Sequence, residues 1–186
     1  MTTSADLRQI AVDALKGKTS AGQSVFSPRD IATWDGEYPM LIVTAPEEGG
    51  ESSGRHGAPL FTVTTTLHVH ARVQRPAGDD DIGAVLVQAD LEVMREQIKA
   101  ALINFTPLMS LLQHYPFFRS QMQVGTSDAD TAMHLGTLHQ QIGMEFVQGA
   151  DQFYQEPSIP LQALDIRVPA ATPDTPQFGA DINLPQ

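Results

Sequence analysis

The sequence predicts an α+β fold: a mainly antiparallel (mixed) β-sheet with two main helices packed on one face, a long β-hairpin arm and an extended C-terminal arm. Three observations carry this. Phe61 to Val73 (FTVTTTLHVHARV) alternates with a period of two, with Phe61, Val63, Leu67, Val69, Ala71 and Val73 in one set, Thr65 in step with them, and Thr62, Thr64, Thr66, His68, His70 and Arg72 in the other. Successive side chains on a strand point to opposite faces, so this is one long central strand with an apolar face and a Thr/His/Arg face. Ile82 to Ile103 instead repeats apolar residues at helical spacing. The order helix, strand, long arm, long strand, helix, strands then fits helices laid on a mainly antiparallel sheet. Residues 1–168 are read as one domain and 169–186 as an extended, Pro-rich arm.

Taken in order, Thr3 or Ser4 can cap a helix whose Leu7, Ile10, Ala11, Ala14 and Leu15 form one stripe, with Gly17 as the stop. Lys18 to Ser27 is small and polar, hence a loop, and Pro28 to Gly36 reads as irregular. The single tryptophan, Trp34, lies there and is expected to anchor the edge of the core, with binding as the alternative. Tyr38 to Ala45 (YPMLIVTA) is a short apolar run of the kind a buried strand gives. Glu47 to Pro59 (EEGGESSGRHGAP) is rich in Gly, Ser and charge, so a packed conformation is not expected. It reads as a projecting arm between two strands of a hairpin.

Beyond the central strand, Asp79, Asp80 and Asp81 precede the long helix. Acids at a helix N-terminus cap free amides and oppose the dipole, so a capping role is preferred to a metal site. The helix stripe comprises Ala84, Val87, Leu91, Met94, Ile98 and Leu102, with Glu92, Arg95, Glu96 and Lys99 opposite. Pro107 and Pro116 limit Asn104 to Phe118 to turns around a short helix, whose aromatics close one end of the core. Arg119 to Gly125 is a candidate strand, and Thr126 to Asp130 a turn. Ala132 to Val147 reads as a second long strand with Ile142, Met144 and Phe146 inward; Gly136 and Gly143 suggest bulges or close backbone approach. In the Pro-rich end, LQALDIRV is the one apolar patch and a candidate edge strand, and Pro169 onward is expected to have little structure of its own.

Composition narrows function. With a net charge of -11, 186 residues long and free of cysteine, the chain lacks the clustered cations of a nucleic-acid binder and has no thiolate chemistry or disulfide. No apolar run approaches a membrane span and the N-terminus is charged throughout, so a soluble protein made in the cytoplasm is expected. His68-x-His70 sets two imidazoles on one strand face, one way to make two zinc ligands, and His139 is the candidate third. Histidine pairs also occur on solvated sheet faces, and no metal, cofactor or catalytic residue is assigned. No nucleotide-binding, GxSxG or HExxH motif is present, and no acid–base pair stands out. The Ser52, Ser53, Arg55 and His56 group lies in the arm, where catalytic geometry is hard to hold. A large share of chain without core to join suits an assembly protein.

The residues also carry a family likeness. The segment SPRDxxTW (Ser27, Pro28, Arg29, Asp30, Thr33, Trp34) is followed by a strand exit with Pro39, Leu41 to Val43 and Pro46 to Glu48. A Gly/Arg/Pro arm then precedes a Thr-rich strand, and later come FxxGADQFYQEP and PLQALDI. In these features, which span most of the chain, it resembles the tail-terminator (tail-completion, minor tail protein U-like) proteins of long-tailed phages and prophages. The resemblance implies a sheet with two helices forming a homo-hexameric ring at the head-proximal end of the virion tail, assembled in the host cytoplasm. It implies as partners further copies of itself, the tail tube protein and the head–tail connector protein, with DNA passing through the lumen without specific binding. On this reading Glu47, Glu48, Arg55 and His56 of the arm, with Trp34, are the candidate interaction residues. The alternatives are another connector or baseplate subunit, or a small metal-dependent enzyme using His68, His70 and His139.

Overall fold

The structure, a computed structural model, describes residues 2–28, 38–53, 57–78, 81–127, 130–154, 163–168 and 178–183. Trp34, Arg55, His56, Asp79 and Asp80 lie outside the described residues. The described chain divides into two compact units, Met1–Gln152 and Phe153–Gln186.

In the first unit, helix α1 (Ser4–Leu15) begins at a complete capping box: the Thr3 hydroxyl accepts from the Asp6 amide while the Asp6 carboxylate accepts from the Thr3 amide. It buries Leu7, Ala11, Val12, Ala14 and Leu15, and Gly17 turns the chain away at φ +67°. Strand β1 (Val25–Phe26) follows, a two-residue strand inside the stretch read as loop, too short for any period to reveal it. Strands β2 (Met40–Ser52) and β3 (Phe61–Pro76) form the antiparallel hairpin. Helix α2 (Ile82–Leu102), a short α3 (Thr106–Met109), β4 (Phe118–Ser127) and β5 (Asp130–Gln148) complete the unit.

The five strands make a mixed sheet in the order β1-β2-β3-β5-β4, in which only β1 and β2 run parallel. The central strand of the sequence is central in fact. It pairs with β2 on one side and runs in unbroken register with β5 on the other, from Phe61 opposite Gln148 to Pro76 opposite Met133. Its odd-numbered face, Val63 to Val73, is buried beneath the helices. Thr65 falls in that face without cost, because its hydroxyl donates to the Glu47 carbonyl where β2 is bulged between Thr44 and Glu47. From above, α2 contributes Val87, Leu91, Met94, Ile98 and Leu102. Each such side chain removed from water is worth about 1.5–3 kcal/mol.

Gly136 of β5 lets α2 approach: a Cβ there would collide with Val87 and Leu91. On the opposite face a Cβ at Gly143 would stand 2.7 Å from the Phe117 ring. Both glycines thus serve close approach, and neither marks a bulge, since the β3–β5 register does not shift.

Three expectations about the β2–β3 hairpin and the start of α2 are corrected. Glu47–Ser52 is not unpaired arm; it continues β2 and pairs with Phe61–Thr66. Side-chain composition argued for a loop, but these side chains are exposed, so backbone pairing along an edge suffices to hold them. Asp81 does not cap α2 through its side chain: it takes a left-handed conformation, φ 59° and ψ 16°, and makes no side-chain cap hydrogen bond. In the first turn of α2 the buried residue is Gly83, with Ala84 only half-buried.

In the second unit, Ala163–Val168 (β6) and Phe178–Asn183 (β7) form an antiparallel pair of their own. Within the apolar patch, Ala163–Val168 is a strand, as expected, and its partner is β7. Phe178–Asn183, which falls in the stretch read as an arm with little structure, supplies that partner.

Candidate functional site

The even-numbered face of β3 carries the polar half of its alternation. His70 stands opposite His139 of β5 and opposite Ile42 of β2, while His68, two residues along, shares their face. The third candidate thus reaches the pair through strand register across a long sequence separation. His139 Nε2 lies 3.0 Å from His68 Nδ1, a hydrogen bond whose donor depends on the tautomers. The His70 and His139 rings stack at 4.2 Å with 7° between their planes, and the His68 ring lies 4.9 Å from that of His139. One ligand-capable nitrogen from each residue falls within 4.8 Å of the others. His68 is buried, and its Nε2 has no hydrogen-bond partner among the described residues.

The environment favours the neutral form of His70 and His139. Burial lowers the pKa of His70, and the charges that His139, His68 and Arg72 would place nearby lower it further. His139 is lowered by burial first and by His68 second. A neutral imidazole keeps a lone pair for hydrogen bonding or for a metal. Beside His70 and His139 opens a cleft of about 480 Å³ bounded by Ile42, Thr44, Arg72 and Thr137. On its other side His139 borders a second, smaller hollow with Arg119 and Gln121.

Two further surfaces stand out. The outer edge of β2 pairs with β1 only at Leu41 and Ile42, so from Val43 to Glu51 it has no strand partner on that side among the described residues. Glu47, Glu48 and Glu51 lie along it, exposed; Glu48 is tied back to α1 by a hydrogen bond from the Ser4 hydroxyl. Strand β4 forms the other edge of the sheet. The second surface is on α2. Ile82, Val85, Leu86 and Val93 are 49–63 % exposed, forming an apolar outer stripe on a helix whose inner stripe is already buried.

Sequence reasoning named the three histidines, and the fold brings them together. It named Glu47 and Glu48, which lie on the open edge rather than in a free arm. It missed the outer stripe of α2, although the signal was present: VLVQADLEV is apolar on both sides for its first turns, whereas only the Glu92, Arg95, Glu96 and Lys99 half was read as the outer face. Among the described residues no helix is long and apolar enough to cross a membrane. The chain matches none of the protein-family models scanned, and a search of curated proteins finds no match either.

Proposed function

We propose that the chain is a structural assembly subunit, a phage tail terminator that closes into a homo-hexameric ring on the tail tube, stops its polymerisation and offers a docking surface to the head–tail connector. The observation that carries the reading is the exposed apolar stripe Ile82, Val85, Leu86 and Val93 on α2. Apolar surface gathered on one helix face is what a subunit presents to its neighbour. Among the described residues the outer edges of β2, beyond β1, and of β4 carry no further strand, which adds a second means of association, since such edges invite another strand. Contact between unlike patches of identical copies closes into a ring when the rotation permits, which suits a cap. The resemblance noted above supplies the phage-specific part of the proposal.

The acidic balance suits a conduit as well. A six-membered ring would hold six times the -11 of one chain, and acids turned toward its lumen would repel a passing phosphate backbone rather than grip it. The test is electron microscopy of tails made by a phage or prophage lacking this protein, beside the complemented strain. Overlong or headless tails are expected without it. Tails of normal length that join heads normally would overturn the reading.

A further inference from the structure

We propose that His68, His70 and His139 form a binding site for one divalent transition metal of the zinc class, with the remaining coordination position open to the cleft beside Ile42, Thr44 and Arg72. This goes beyond the assembly role and does not depend on it.

Donor type selects the metal class. Three imidazoles and no carboxylate suit Zn(II), Co(II), Ni(II) or Cu(II), whereas Mg(II) and Ca(II) require oxygen. The geometry is close to what such an ion needs. Zn–N bonds of about 2.0–2.1 Å in a tetrahedron separate ligand nitrogens by about 3.4 Å. Here His139 Nε2 and His68 Nδ1 stand 3.0 Å apart, and one nitrogen from each of the three rings lies within 4.8 Å of the others, so the separations bracket that value. His68 and His70 sit on a strand paired on both sides, and His139 on the strand next to it, so the ligand positions are held by the most constrained part of the sheet.

Ordinary polar packing accounts for the cluster less well. The rings contact one another, and the Nε2 atom of buried His68 is left without a partner among the described residues. Buried polar atoms normally find one. Nitrogens of three imidazoles gathered within 4.8 Å on one sheet face, with the His70 and His139 rings lining an open cleft, are what a three-histidine metal site with one exchangeable position requires.

The test uses the full chain, stripped with chelator and titrated with ZnCl2. One zinc retained per chain after gel filtration is expected, with Co(II) giving the visible absorption of a four-coordinate ion. Long-range 1H–15N spectra of the unaltered chain should show three of the six histidine rings shifting on zinc addition. His139→Asn should weaken zinc binding by more than the 10–100-fold typical of losing an outer-shell partner, while His114→Asn leaves it unchanged. No retained zinc, a number of shifting rings other than three, or undiminished binding by His139→Asn would each overturn the proposal. The spectra require no substitution, so the outcome does not hang on whether a variant folds.

Discussion

At the scale of single residues, the positions most informative about this fold are those where the side chain is missing or mismatched. Gly136→Ala would drive a methyl group into Val87 and Leu91, and we expect a loss of about 1–3 kcal/mol in urea unfolding. Gly125→Ala in β4 meets open space and should stay within about 0.5 kcal/mol of the parent, which separates the steric effect from a general glycine effect. Gln140 is the converse case. It faces the core between Leu138 and Ile142, fully buried, with neither amide atom hydrogen-bonded among the described residues. Replacing it with methionine keeps the length and removes the unpaired dipole, so Gln140→Met should raise stability by about 1 kcal/mol, read from the urea midpoint. Alternation alone puts residue 140 inward, but its chemistry argues for the surface; here the strand's period outweighs the residue's preference. The histidine cluster was legible for a related reason. His68 and His70 share a face by parity, and a third imidazole lay on the other long strand. Their separation was not legible, because it depends on a register fixed by two strands that are distant in sequence.

At the scale of elements, the helices and long strands were readable because each repeats a period over many residues. The α1 cap was readable to within one residue, Thr3 or Ser4, and Asp6 completes the box on Thr3. Thr3→Ala removes the hydroxyl that accepts from the Asp6 amide and should cost about 1 kcal/mol, measured by thermal unfolding. What was not readable is pairing that leaves no side-chain trace. Strand β1 is two residues long, and Glu47–Ser52 shows the composition of a loop because its side chains face solvent. Deleting Gly49 to Gly57 would remove strand residues opposite Thr64, Val63, Thr62 and Phe61, so a folding loss is expected on circular dichroism rather than a silent truncation. Likewise the β6–β7 pair lies in a Pro-rich stretch where no single segment announces its partner.

At the scale of the whole molecule, fold and assembly make separable demands on α2. Its inner stripe builds the core, whereas Leu86 and Val93 are half-exposed and add little to it. The double substitution Leu86→Glu with Val93→Glu should therefore leave the urea midpoint nearly unchanged while abolishing complementation of tail length in the microscopy assay. A collapse of stability instead would place those residues in the core and remove the argument for an interface. The pairing of β3 with β5 has a consequence for the order of events in synthesis. Phe61 finds Gln148, and Pro76 finds Met133, only after α2, α3 and β4 have been made, so on that side β3 waits with a bare edge while the chain grows. Non-local pairing of this kind slows folding and leaves strand edges open to other nascent chains. With Thr and His along one side, β3 is apolar on one face only, and such a strand is a poorer template for aggregation before its partner arrives than one apolar on both.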